Sequence, residues 1–267
     1  VNDADELVHG ALRLTFLGTG TSTGVPVPTC DCPVCTSDDP RDRRLRPSVL
    51  VEWSGASVLV DTATDLRQQA LRHGIRRIDA VLFTHAHADH VLGLDELRLY
   101  NWRQRGPIPA YGSARTLEAL RKTFWYVFDD QPVESTKPAI ETRVVDGPFT
   151  LHGRRVVPVP LYHGSMPILG FRIGRLAYLT DVSRIPESSY ALLEGLDLLV
   201  LNALRDRPHP THLTIEQALA EARRIGARQT YLTHLSHEVH HAMHSARLPR
   251  GVDLSYDGLS LELADGS

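Results

Sequence analysis

His85-Ala86-His87-Ala88-Asp89-His90 sets four metal-competent side chains within six residues, directly after the apolar run Ala80-Val81-Leu82-Phe83. A run that short and apolar reads as a buried strand, so the polar cluster falls on the loop where the strand ends. On such a loop, alternate residues converge from one side while the others turn toward a neighbouring point. Imidazole suits zinc and other borderline divalent ions, and carboxylate oxygen suits the same ions or harder ones such as manganese. Two ions about 3.5–4 Å apart polarise a substrate oxygen and generate hydroxide from water near neutral pH.

The same arrangement recurs along the chain. His163 follows a strand candidate at 156–160, Asp181 follows one at 176–179, and His234 follows one at 230–232. Further strand candidates lie at 12–17, 48–53, 57–61, 170–173, 196–202 and 255–263, and Gly55 suggests a hairpin between the second and third of these. Helices are expected at 65–73, 115–127 and 215–225, the last with Thr214 as N-cap, and a loop at 133–138. Strands dominate, with helices interspersed and polar clusters just past strand ends. This pattern points to an α/β sandwich of two facing mixed sheets flanked by helices, with function on the connecting loops. One domain over 1–267 accommodates it, with residues from about 101 to 147 expected as an insertion that decorates the core.

Cys30-Asp31-Cys32-Pro33-Val34-Cys35 supplies three thiolates at C-x-C-x-x-C spacing. Close thiolates invite a soft, tetrahedral metal, and a closed structural zinc site needs one more ligand. His237, three residues past His234, is the candidate for it, so one loop would serve both metal sites. His9, His73, His152 and His209 stand isolated and read as surface or packing residues. Arg41-Asp42-Arg43-Arg44-Leu45-Arg46 reads as a solvated loop face, its charge diluted by neighbouring aspartates.

The His-x-His-x-Asp-His segment, preceded by Asp61 at a strand end, resembles the signature of the metallo-β-lactamase superfamily. The resemblance implies one divalent metal on His85, His87 and His163, a second on Asp89, His90 and His234, and Asp181 bridging. Asp61 would hold a ligand histidine by hydrogen bond. The opening Leu17-Gly18-Thr19-Gly20-Thr21-Ser22-Thr23-Gly24-Val25-Pro26, the Cys30/Cys32/Cys35 triplet and Leu232-Thr233-His234-Leu235-Ser236-His237 narrow the likeness to the PhnP-type phosphodiesterases. That likeness implies a structural zinc on Cys30, Cys32, Cys35 and His237, and manganese or zinc in the active site. It implies a catalytic role for His212 beside Asp89, and hydrolysis of small phosphodiesters, among them cyclic ribose phosphates, by a two-metal-activated hydroxide. The same fold also carries tRNA 3′-processing endonucleases and the non-hydrolytic coenzyme PQQ synthesis protein B, which stand as the alternatives.

Composition bears on the choice. With 42% hydrophobic and 23% charged residues and a net charge of −3, the 267-residue chain has no global electrostatic drive toward nucleic acid or an anionic membrane. No apolar run approaches the length of a membrane span, and the acidic stretch 1–6 does not read as a secretory signal. A cytoplasmic location is the default. The expected partner is a small phosphodiester, with neither nucleic acid nor membrane, and a homodimer is left open.

Overall fold

Leu12, Leu14 and Phe16 are buried while Arg13 is exposed, the period-two alternation of a strand with one face in the core. In the computed structural model, which describes residues 11–129 and 135–264, this strand is β1 (Leu12–Gly18). It lies between β2 (Ser48–Trp53) and the chain's last strand, and β2 turns through Gly55 into β3 (Ala56–Val60). Then α1 (Leu66–His73) leads to β4 (Ala80–Leu82), which pairs in parallel with β3. After α2 (Ala88–Val91) and α3 (Leu97–Gln104), β5 (Ile108–Gly112) joins β4. Past α4 (Ala114–Thr123) and α5 (Trp125–Phe128), β6 (Ile140–Val144) joins β5.

The second sheet follows in order. An antiparallel meander runs through β7 (Phe149–Leu151), β8 (Arg154–His163), β9 (Met166–Ile173) and β10 (Leu176–Leu179). After α6 (Glu187–Tyr190), β11 (Leu198–Asn202) pairs in parallel with β10. Beyond α7 (Ile215–Ile225), β12 (Gln229–Thr233) joins β11, and after α8 (His241–Ser245), β13 (Val252–Leu254) closes that sheet. Finally β14 (Ser260–Leu263) crosses back to pair with β1. Among the described residues each sheet has seven strands, and each is antiparallel in one half and parallel in the other.

The two sheets bury one core between them, with Phe16, Val51 and Val58 meeting Val156, Phe171 and Val200. A second core lies under α7, and a third under α1, α3 and α4. Strands covered on both sides read as continuous apolar runs, as Val58-Leu59-Val60 and Leu198-Leu199-Val200-Leu201 do. Each such fully buried side chain contributes roughly 1.5–3 kcal/mol. Thr214 caps α7 with a capping box: its hydroxyl accepts from the Gln217 amide at 3.1 Å, and its own amide donates to Gln217 Oε1 at 2.9 Å.

Some elements depart from the sequence reading. Residues 101–147 contain surface helices, but they also supply β5 and β6 to the first sheet, and Ile108 and Ala110 are fully buried. The single helix expected at 115–127 is interrupted at Phe124, whose backbone leaves the helical region. The strand expected at 255–263 is a loop followed by β14: the Asp257 carboxylate, its side chain 3% exposed, accepts from the Thr19 and Leu45 amides and draws the chain out of the sheet there. Part of the 133–138 loop, the acidic stretch 1–6 and His9 lie outside the described residues.

Candidate active site

The side chains predicted for the two-metal site sit at or beyond the ends of strands, and these ends converge at one edge of the sandwich. Asp61 follows β3, His85 to His90 follow β4, His163 ends β8, Asp181 follows β10 and His234 follows β12. Asp61, Asp181 and His234 each have a left-handed backbone, with φ of 62°, 58° and 59°. Few non-glycine residues adopt this conformation, though Asp and His tolerate it better than most, and such strain gathers at functional sites. It turns each side chain sharply off its strand and into the cluster. Gly93 lets the ligand loop settle there: a Cβ at this position would lie 2.1 Å from the Ala63 carbonyl oxygen.

Asp61 organises the histidines from behind. Its Oδ2 is 2.7 Å from His90 Nδ1 and also accepts from the Thr84 hydroxyl at 2.7 Å, while Oδ1 accepts from the Thr84 amide at 2.8 Å. Because the Thr84 hydroxyl gives its hydrogen to Asp61, its oxygen is left to accept from His85 Nδ1 at 3.0 Å. His163 Nδ1 donates to the carbonyls of Asp181 and Thr211 at 2.9 and 2.8 Å. All three rings therefore carry their hydrogen on Nδ1 and turn a bare Nε2 inward. For His85 and His90 that Nε2 is buried without a hydrogen-bond partner, as are both nitrogens of His234.

The inward atoms form groups of metal-binding size. Single ligand atoms of Asp89, His90, Asp181 and His234 lie within 4.8 Å of one another. His90 Nε2 is 3.1 Å from one Asp181 oxygen and His234 Nε2 is 3.2 Å from the other, so Asp181 stands between the two rings. On the other side, the rings of His85, His87 and His163 pack at 4.6–5.6 Å between centroids. His212 faces this cluster too. Its ring is 4.7 Å from His163 and 4.9 Å from His234, and its Nδ1 is 3.8 Å from Asp181.

Charge asks for a cation here. Burial opposes any charge on His90, yet the carboxylates of Asp181, Asp61 and Asp89 hold its pKa well above 6.5. Burial raises Asp181, but His234 and His90 pull it far below the ordinary carboxylate range. The buried carboxylates of Asp89 and Asp181 thus face the inward nitrogens of His90 and His234. Divalent ions fit this donor set and this charge. Burial, followed by the influence of His234, pushes His212 down to about 3, so its imidazole is neutral.

The second expected site is equally well gathered. His237 Nδ1 lies 3.2, 3.5 and 3.6 Å from the sulfurs of Cys30, Cys32 and Cys35. Burial raises the Cys32 thiol, but hydrogen bonds from the Cys35 amide and the neighbouring thiols bring it down to about 6, while burial pushes Cys35 up to about 11. One sulfur of the three is thus ready to carry charge, which suits a thiolate-bound cation. Between this group and the active site, Leu235 bonds Thr19 and Thr21 through its backbone, at 2.9 and 3.2 Å.

Two features escaped the sequence reading. The run Arg41–Arg46 was expected to be solvated, but Arg44 and Asp42 have side chains 0% exposed and pair at 2.9 Å. Arg44 also donates to the carbonyls of Ser236 and Val239, clamping the loop that carries His237. Those partners are some 190 residues away in sequence, so no local signal could have shown them. His209, read as isolated, has its ring 5.0 Å from His212.

Asp61→Asn should separate these supports from the donors themselves. Asparagine tolerates the left-handed backbone, but its single oxygen cannot accept from the Thr84 amide, the Thr84 hydroxyl and His90 together. Active-site metal affinity should fall by about 10–100-fold with the fold intact, as read by titration against a competing chelator. Unchanged affinity would remove Asp61 from its organising role.

Residues 56–235 match the beta-lactamase superfamily domain. A crystal structure of a diphosphatase of the PhnP family superposes with a TM-score of 0.89 at 45% identity, covering 95% of this chain and 97% of that one. A Porphyromonas gingivalis protein named octanoyltransferase is 42% identical over 253 residues. These are 93% of this chain and 51% of that protein, so the chain spans about half the length of this relative. Ribonuclease Z of Mycolicibacterium gilvum is 27% identical over 258 residues, 84% of each protein. With its paired sheets and its edge of histidines and aspartates, the chain belongs to the metallo-β-lactamase superfamily of metal-dependent hydrolases and, within it, to the PhnP family.

Proposed function

We propose that the protein hydrolyses small phosphodiesters and the P–O–P anhydride linkage of diphosphates, in a site that holds two divalent ions. The observation that carries this reading is the joint placement of two inward-facing donor groups, the shared Asp181 and the neutral His212 beside them. His85, His87 and His163 would hold one ion and Asp89, His90 and His234 the other, with Asp181 between them and Asp61 behind His90. When bound, the ions supply an activated water and neutralise charge on the phosphoryl oxygens.

The chain's own residues do the rest. Hydrolysis places OH on phosphorus and hydrogen on the departing oxygen. His212, as a neutral imidazole, offers an N–H to that oxygen as negative charge grows on it. Asp61 and Thr84 keep His90 and His85 in the tautomer that faces inward. His87, the exposed member of the first donor group, would be the one a substrate meets first. The Cys30, Cys32, Cys35 and His237 group would hold a structural zinc that anchors the loop bearing His234.

A diester, with one negative charge on its phosphate, admits an anionic nucleophile that a dianionic monoester repels. The test is a panel of a cyclic ribose phosphate, bis(p-nitrophenyl) phosphate, ADP-ribose, p-nitrophenyl phosphate, a β-lactam and precursor tRNA, under manganese and zinc separately. Small diesters or diphosphates should be turned over with the highest kcat/KM. Preference for the tRNA would move the protein to the ribonuclease Z reading. Turnover of none, with both ions bound, would favour a non-hydrolytic role.

A further inference from the structure

We infer that His209 is a substrate-contacting residue of this site, whose Nε2–H holds an oxygen of the second phosphate in a diphosphate substrate. The inference rests on the hydrolytic reading above and deepens it by naming a residue that would select diphosphates among its substrates. The segment is Pro208-His209-Pro210-Thr211-His212. Prolines on both sides fix their own φ, and each pushes the residue before it toward an extended backbone, so His209 is presented on a stiff support.

Thr211 decides which nitrogen of His209 carries the hydrogen. The Thr211 amide donates to His209 Nδ1 at 3.3 Å, and the Thr211 hydroxyl lies 3.2 Å from the same nitrogen. A backbone N–H can only donate, so Nδ1 accepts and the ring's hydrogen sits on Nε2. The Thr211 carbonyl meanwhile accepts from His163 Nδ1 at 2.8 Å. One residue thus sets two tautomers in opposite senses. His163 keeps a bare Nε2 suited to a metal, and His209 keeps an Nε2–H suited to an acceptor oxygen.

The three rings form a row running outward. His163 and His212 are 4.7 Å apart, and His212 and His209 are 5.0 Å apart. His163 is buried, the His212 side chain is 10% exposed and His209 is half-buried. Among the described residues, the hydrogen bonds of His209 all use Nδ1, and none uses Nε2. Arg205, held at 2.7 Å by Glu238, lies on the same loop as His209. A donor one ring-spacing beyond His212 suits the phosphate that departs with the leaving oxygen. Cleavage adds OH to one phosphorus and hydrogen to the oxygen left on the other phosphate, so both products remain anions that such donors can hold.

The competing role is local: His209 could do no more than brace the Thr211 turn. Two substitutions separate the roles. In His209→Asn the side-chain oxygen replaces Nδ1 and keeps the turn, but the reaching donor is lost. In His209→Gln the amide nitrogen reaches where Nε2 stood, but the turn bond is lost. With metal-loaded protein and ADP-ribose as probe, His209→Asn should raise KM by roughly 10- to 100-fold, bis(p-nitrophenyl) phosphate showing a rise of less than about threefold, and His209→Gln should recover most of the loss. Metal content and melting temperature should not move in either variant.

Calorimetric binding of inorganic pyrophosphate and inorganic phosphate reads the same contact without turnover. His209→Asn should weaken pyrophosphate more than phosphate, and His209→Gln should restore it. If Asn rescues and Gln does not, or if both substrates suffer alike, the inference is overturned and His209 is structural. If native protein hydrolyses no diester, the proposed function fails. The pyrophosphate comparison then decides His209 by itself, and equal binding across the variants would end the inference.

Discussion

Replacing His212 by alanine should lower kcat by roughly 10²–10³-fold on substrates with alkoxide leaving groups, the size expected for removal of one preorganised donor. Both active-site metals should stay bound, because the two proposed ligand sets are complete without His212. The loss should shrink on bis(p-nitrophenyl) phosphate, since p-nitrophenolate departs with little help from a hydrogen bond. The geometry leaves one competing role open to measurement. His163, Asp181 and His212 also form a group of metal-binding size, so a ligand role is sterically allowed. Elemental analysis of His212→Ala separates the two. Retained metals with a leaving-group-dependent loss of rate would support the donor role. Lost metals with a uniform loss across substrates would make His212 a ligand and take the leaving-group argument with it.

How much of this was readable beforehand follows from how local each signal is. The strands that deliver the site were legible because each is a short β-prone run followed by a His or Asp, as at Leu176–Leu179 before Asp181 and Thr230-Tyr231-Leu232 before His234. Two facing mixed sheets with flanking helices follow from that spacing. The misreadings arise where distant partners decide the outcome. Ile108–Gly112 contains proline and glycine and looks irregular, yet β4 and β6 pair with it on both sides. Arg44 carries a charge that composition assigns to solvent, but Asp42 and the carbonyls of Ser236 and Val239 meet it inside. His209 looked isolated because its partner in space is His212, and the intervening Pro210 and Thr211 disguise a turn that brings the rings together. The backbone strain at Asp61, Asp181 and His234 has no sequence signature beyond residue types that tolerate it.

Cys32→Ala should strip one zinc per chain and lower the melting temperature by roughly 10 °C, equivalent to about 5–6 kcal/mol at the usual entropy for a chain of this size. Apparent binding free energies of structural zinc reach about 10–16 kcal/mol in small peptides, comparable with the whole stability of a typical domain. The loss here should be smaller because Arg44 and the Leu235 backbone bonds still hold the loop from the other side. What loosens is the position of His237, whose Nδ1 now sits within 3.6 Å of all three sulfurs. His234 lies three residues away on the same loop, so the damage should spread to the active site as weaker metal binding and lower kcat. The order of events distinguishes this from general unfolding. In a chelator titration the native protein should give up two exchangeable ions first, with the fold retained, and a third only as it melts. Metal analysis of fully loaded native protein should find three ions per chain. No more than one ion per chain, or a Cys32→Ala variant with native zinc content and native melting temperature, would show that the cysteines bind no structural metal.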